Sequence, residues 1–354
     1  MVGILANTCC QIPGYTDSAH TSSLPFLNIW GVWDTIWYLK IAHEGYSSAP
    51  PGAGFNDYAF FPLYPLLIAA LGFLTRDNFI AGLIISNVAL LLASIVFYKL
   101  VLLDFDKKIA KMATLFLFIF PTSFFFSAVY TESLFLLLSV FCFYLARKQK
   151  WLFSSLVGML AALTRPVGFL LFVPVVIEYL RSINFNLKRI LSPKFVIRHS
   201  SFALIPAGLL AFMTYLYFHT GDFFAHIHVQ QAWGHYLANP FLELVNLFKV
   251  NWFWQAINLA IVLLVLGLTS AAFFIKKIPK SYPIYSLLLI LLTLMSGGDV
   301  LKQSSARLLT VAFPIFIILG LLCQKPKFQM VLIPASFVTL AAGMFFWSLG
   351  WPII

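Results

Sequence analysis

The stretch WDTIWYLKIAHEGY, residues 33–46, sets two carboxylates, a lysine and a histidine among tryptophans, tyrosines and isoleucines. Asp34 stands near its start. A carboxylate at a boundary between lipid and water can cap a helix, or it can take a proton from an arriving hydroxyl. Farther along, Arg165 lies in LTRPVG between two apolar runs, and Arg307 lies in QSSARLL. A guanidinium at such depth is costly unless it pairs or faces a wet cavity. Its planar fork of donors also suits a phosphate. Two readings therefore stand side by side for these arginines: an anion-binding role, or a structural ion pair, for Arg165 with Glu132 or Asp299. Glu132, in FPTSFFFSAVYTES (120–133), either binds a substrate hydroxyl or caps the helix that follows. In GDFFAHIHVQQAWGHY (221–236), His226 and His228 form a His-x-His pair with His235 nearby. No third metal ligand is placed, so the segment is read as a polar loop and no metal is expected. No phosphate-binding loop, nucleophile elbow, zincin helix or dinucleotide fingerprint occurs in a supporting context.

The elements that must position these residues belong to a membrane. The chain has 354 residues, 61% hydrophobic and only 10% charged, with a mean hydropathy of +0.92. A soluble domain carries about 25% charged residues. Apolar runs recur at spanning length from Phe79 onward. The spacing predicts spans near 79–102, 109–126, 131–146, 151–164, 168–181, 201–218, 254–275, 282–296, 308–323 and 329–349, with a reversal at Thr164-Arg165-Pro166. The run FPLYPLLIAALGFL (61–74) is too short to span, and it is expected to be interfacial or re-entrant on the outer side. Trp33, Ile36, Trp37 and Ile41 share one helical face, with Gly45 as a C-terminal stop. Residues 33–46 thus read as an amphipathic helix on the outer face, with Lys40, His43 and Glu44 off its apolar side. Met1–Ala6 reads as the remnant of an incomplete helix. The whole, 1–354, reads as one domain without repeats.

The net charge of +11 is not a nucleic-acid footprint. Most basic residues fall in clusters at every second loop: Lys107, Lys108 and Lys111; Arg147, Lys148 and Lys150; Arg181 to Arg198; Lys276, Lys277 and Lys280; Lys325 and Lys327. That is the positive-inside pattern. It leaves only Asp104, Asp106 and Glu178 of the acids on the inner side, and it gathers polar chemistry in the outer loops at 1–61, 126–132, 219–253 and 296–307. Cys9 and Cys10 are adjacent, and Cys142 and Cys323 sit in apolar runs, so no disulfide framework is expected.

WDTIWYLKIAHEGY, FFPLYPLL, YTESLFLL, ALTRPVG, GDFFAHIHVQQAWG and SSARLLTVAFP come in the order and spacing of one family. From about Trp33 to Pro314 the chain resembles the class V mannosyltransferases of GPI-anchor assembly and their prokaryotic relatives, polytopic glycosyltransferases of the GT-C type. The resemblance implies a polyprenyl-phosphate sugar donor, commonly mannosyl, and a glycolipid, glycan or protein acceptor at the outer or lumenal face. It implies a multi-pass bundle in the cell membrane or endoplasmic reticulum, and no cofactor. By this likeness Asp34 is the catalytic base. Arg165, Arg307, Glu132, Tyr38, Tyr64 and His43 are the substrate-binding candidates. Such enzymes place a full transmembrane helix before the first outer loop, which residues 1–30 do not supply, so a shortened start is expected; with that helix the spans number eleven rather than ten. Glycosyl transfer from a lipid phosphate needs a carboxylate for the acceptor proton, cations for the departing phosphate and an aromatic groove for the prenyl chain. Asp34, the outer arginines and a chain with 17% aromatic residues supply these parts. The expectation is an all-α, polytopic inverting glycosyltransferase. The rival readings are a transporter or flippase of lipid-linked sugars, for which internal repeats would be needed, and a non-catalytic subunit of a glycan-assembly complex.

Overall fold

A computed structural model describes residues 25–48, 54, 56–183, 200–249, 253–298 and 301–349. The Met1–Ala6 remnant, Cys9, Cys10 and the Asp299 pairing lie outside the described residues. Within them the chain is helical and contains no strand.

After a 3-10 turn at Pro25–Trp30, α1 runs Thr35–Glu44 and stops at Gly45, whose φ of 79° is open to glycine. Its buried residues are Thr35, Tyr38 and Ile41, while Ile36 of the expected apolar face is 40% exposed. Ile41 lies in the core and Trp33 and Trp37 pack partly buried against it, so of that face only Ile36 looks outward, while His43 and Glu44 are exposed as expected. Between helices in lipid there is little hydrophobic drive, because hydrocarbon is as apolar as leucine, so apolar side chains can look outward at no cost. The same freedom shows in α3 (Asn78–Val101), which follows α2 (Leu63–Thr75). Its Ile84, Val88, Leu91, Leu92 and Ile95 are exposed, whereas Ala81, Gly82, Ser86, Ala89 and Ala93 are buried. Small residues bring backbones close: a Cβ on Gly82 would come within 2.5 Å of Val129. The 13 residues of α2 cover about 20 Å, less than the roughly 30 Å hydrocarbon core, as expected for the 61–74 run.

The expected span 109–126 is instead α4, Lys107–Ile119, followed by a break and a 3-10 turn at Ser123–Phe126. Pro121 offers no amide and pushes Phe120 out of the helical region, to φ −60°, ψ 146°. Next come α5 (Glu132–Arg147) and α6 (Trp151–Thr164). The reversal falls where expected. Arg165, preceding Pro166, is extended at φ −150°, ψ 145°, and a 3-10 turn at Pro166–Leu171 leads into α7 (Phe172–Ser182). Gly168 makes this turn tight, because a Cβ there would lie 2.4 Å from the Ala161 backbone. Then α8 (Leu204–Thr220) packs on α6 through Gly208 and Gly158. Short α9 (Ala225–His228) and α10 (Pro240–Asn246) precede α11 (Phe253–Phe274) and α12 (Ser281–Met295).

The expected span 308–323 is shorter, α14 (Pro314–Leu322), and most of the expected loop 296–307 is instead a helix, α13 (Leu301–Leu309); α15 (Pro326–Ser348) closes the order. Pro314 starts α14 because its missing N–H costs nothing at a helix N-terminus and cannot continue one. Among the described residues, four helices are long and apolar enough to cross a membrane: Asn78–Val101, Ser200–Thr220, Gln255–Phe274 and Pro326–Ser348. The broken ones are packed within the bundle, where irregular backbone is tolerated.

The bundle has two polar ends. Near one end of α5, Arg147 grips both oxygens of Asp104, at 2.6 and 2.7 Å. It also reaches the Tyr282 hydroxyl at 3.1 Å and Glu178 at 3.4 Å. Gly320 lies against the backbone of Ile109 and Ala113, which brings Lys325 and Lys327 to the end that holds Lys107 to Lys111. The basic clusters at 107–111, 147–150, 276–280 and 325–327, with Arg181, therefore share one end. Glu132 begins α5 at the other, about 22 Å away by helical rise.

Candidate active site

The segment ahead of α1 is stitched to the chain before α5. The Val129 amide donates to the Trp30 carbonyl at 2.9 Å, the Tyr130 hydroxyl to Val32 at 3.0 Å, and Thr35 Oγ1 to Val129 at 3.3 Å. Between these ties Trp33 is held at φ 55°, a left-handed conformation that a tryptophan rarely adopts. Such strain persists only where the surroundings over-determine it, and it clusters at functional sites. It aims Asp34.

Asp34 occupies the N-cap position of α1, yet its side chain makes no cap hydrogen bond. Its Oδ2 instead accepts from Arg307 Nη1 at 2.6 Å. Arg307 Nε donates to Glu132 Oε1 at 2.7 Å, and Arg165 Nη1 lies 2.9 Å from the same oxygen. That last contact is an ion pair by distance but is not aligned as a hydrogen bond. Among the described residues, Arg165 Nη1 and Glu132 Oε2 are both buried without a hydrogen-bond partner. Tyr130 completes the site, its ring centroid 4.0 Å from the Arg307 guanidinium, a cation–π contact.

Two carboxylates and two guanidiniums cancel in formal charge, which lets the cluster be buried. Exposure differs among them and points to roles. The Glu132 side chain is 0% exposed, Arg307 6%, Arg165 10% and Asp34 20%. Glu132 is the enclosed counter-ion that holds both arginines. Asp34 is the acid open to an approaching molecule, and its Oδ1 carries no bond to the described residues.

Of the other candidates, Tyr38 adjoins this cluster, its hydroxyl 3.5 Å from Thr131 Oγ1. Tyr64 is fully buried behind it, edge-on to Tyr38 at 5.2 Å and bonded to Ser86 at 2.7 Å. His43 is exposed toward the C-terminal end of α1, about 13 Å along the helix from Asp34, and is not brought into the site. The histidines of the 221–236 loop separate. His228 pairs with Asp222 at 2.6 Å, His235 Nδ1 contacts the Ser296 carbonyl at 2.9 Å, and His226 packs edge-on against Phe61. No grouping of three metal-ligand side chains occurs among the described residues.

Two features were missed in the sequence. Tyr130 is one; its position two residues ahead of Glu132 is the signal that was available. The other is an aromatic wall beside α1, where Trp37 stacks on Phe60 at 5.7 Å and meets Trp233 edge-on at 5.6 Å. It joins α1 to the 221–236 loop across nearly two hundred residues, which no local pattern could announce.

An all-helical bundle with an apolar exterior and a buried, charge-balanced cluster at one end defines an integral membrane protein with its candidate chemistry held among helix ends. The chain belongs to the mannosyltransferase (PIG-V) family, whose family model matches residues 3–233, and it is a glycosyltransferase. No curated protein matches it. The matched region contains Asp34, Tyr38, His43, Tyr64, Glu132 and Arg165; Arg307 lies beyond it.

Proposed function

We propose that this mannosyltransferase moves mannose, with inversion, from a polyprenyl-phosphate donor to a hydroxyl of a glycolipid, glycan or protein acceptor, and that Asp34 is the general base. The observation that carries the reading is the state of the Asp34 carboxylate. It stands at a helix start without capping it, held through one oxygen by Arg307 and open at the other. In the step, Asp34 Oδ1 takes the acceptor proton as the acceptor oxygen bonds the anomeric carbon. The bond from that carbon to the phosphate oxygen breaks, and polyprenyl phosphate leaves with the electron pair. Arg165 and Arg307 would stabilise the charge gathering on the phosphate. A phosphate arriving at Arg307 competes with Asp34 for the guanidinium, so donor binding would loosen the Arg307–Asp34 pair and free the carboxylate. Tyr38 would border the acceptor.

The positive-inside rule supports an active site on the outer or lumenal side, because the end opposite Glu132 carries the basic clusters. The experiment is incubation of the purified protein with labelled polyprenyl-phosphate mannose and membrane lipid extract. Transfer of label by the wild type and its loss in Asp34→Asn are expected. Label carried across a sealed bilayer without transfer would favour a flippase, and neither transfer nor transport would favour a non-catalytic subunit.

A further inference from the structure

At the basic end of the bundle, a cleft of about 530 Å³ opens between the last turn of α7 and the link from α11 to α12. Arg181, Lys276, Lys277 and Lys280 line it, over an apolar floor that includes Ile278. Its one carboxylate, Glu178, is already engaged. Arg147 Nε lies 3.4 Å from it and Arg181 Nη1 3.7 Å, and the Ser281 hydroxyl donates to it. Glu178 therefore cannot neutralise the three lysines. Lys280 donates to the Phe273 carbonyl and closes the link on itself, while Lys276 and Lys277 are exposed and form no ion pair among the described residues. Three lysines and Arg181 around the single Glu178 carboxylate leave the cleft with a net positive charge that attracts an anion. The 15-residue helix α12 begins at Ser281, so its positive dipole end adds to the same field.

The surroundings say what kind of anion. Phe274, at the end of α11, is 86% exposed beside the lysines, and Phe172 and Val173 are exposed on α7. Cations at the end of exposed apolar helices stand where the phosphates of a bilayer lie, and basic pockets between helices at the cytoplasmic side hold anionic headgroups. We propose that this cleft binds the phosphate of an anionic phospholipid, with the acyl chains against the exposed apolar side chains of α11. The site lies at the opposite end of α5 from Asp34, and the proposal is independent of any catalytic role for that residue. A phosphate could equally come from solution, so the experiment separates the two sources.

The full-length protein in neutral mixed micelles is titrated with fluorescent phosphatidylglycerol, with phosphatidylcholine as the neutral comparison and inorganic phosphate as competitor. The expected result is saturable binding at least about tenfold tighter for the anionic lipid, weakened about tenfold by Lys276→Ala with Lys277→Ala. Both lysines are exposed, so the fold should survive, as a thermal melt would verify. Lys107→Ala with Lys108→Ala, elsewhere at the same end, should bind as the wild type does. Equal losses in the two double variants would overturn the cleft in favour of diffuse surface charge. Displacement of the lipid by an equal concentration of inorganic phosphate would overturn it in favour of a free-anion site, and absence of saturation would remove it altogether.

Discussion

Asp34 and Glu132 are chemically alike but should respond in opposite ways to loss of charge. Asp34 is partly open and makes no cap bond, and asparagine is itself a good N-cap. Asp34→Asn should therefore keep its Tm within a few degrees of wild type while transfer falls about 100-fold, the low end for loss of a general base. Transfer within a few-fold of wild type would remove Asp34 from the chemistry. Glu132→Gln leaves two buried guanidiniums facing one remaining acid, and breaking such a buried pair costs about 3–5 kcal/mol. A thermal melt in detergent should therefore rank Glu132→Gln far below Asp34→Asn. Arg165→Lys retains the charge but loses the planar fork. A donor-binding role predicts a KM for the donor raised about tenfold with the melt little changed, the effect of losing one charge-assisted hydrogen bond. A purely structural pair predicts the reverse, an unchanged KM and a lowered Tm.

Elements position these side chains by close approach of backbone, and glycine is where that shows. A Cβ on Gly168 would meet the Ala161 backbone at 2.4 Å, whereas one on Gly267 of α11 would meet nothing within 4 Å. Gly168→Ala should cost about 1–3 kcal/mol through overpacking and reduce transfer, because the turn it strains carries Arg165. Gly267→Ala should be neutral or stabilise slightly, since alanine is the better helix former. Comparing melting and transfer for the two variants checks both. The loop that holds α9 should respond to pH. Burial pushes His226 down to about 4, the neighbouring His228 adds to the effect, and Asp222 opposes it. With an unfolded value near the ordinary 6.5, protons bind the undocked loop first. The stability that neutral His226 contributes is thus complete above about pH 6.5, declines as pH falls, and is lost below about 4. Limited proteolysis of the loop should quicken across that window in the wild type and less in His226→Gln.

The charge asymmetry of the whole molecule makes a prediction about sidedness. The structure gathers the basic clusters at one end, and residues of the 221–249 segment lie with the aromatic wall near Asp34 at the other. A cysteine replacing Lys148 should react only with a probe applied to the cytoplasmic side, and one replacing exposed Asn239 only from outside. Labelling of both from one side would invert or dismantle the proposed orientation of the active site.

Much of this was legible in the chain itself. Composition alone excludes a soluble domain, because apolar runs of spanning length have no other use in such numbers. Helix boundaries followed from Gly45 and Pro166, residues whose backbone preferences act locally. Asp34, Glu132 and Arg165 stood out because a charge in an apolar run is expensive and must have a reason. Of the pairings, only that of Arg165 with Glu132 was legible, as one of two readings of Arg165; those of Arg307 were not. Arg307 meets Glu132 across 175 residues and Asp34 across 273, and no periodicity encodes which distant guanidinium a carboxylate will find. Nor could composition tell which apolar residues of α3 turn outward, since in lipid an apolar side chain is free to look out. Only the packed bundle decided that Asp34 holds Arg307 rather than its own helix, because that choice depends on helices brought together from both ends of the chain.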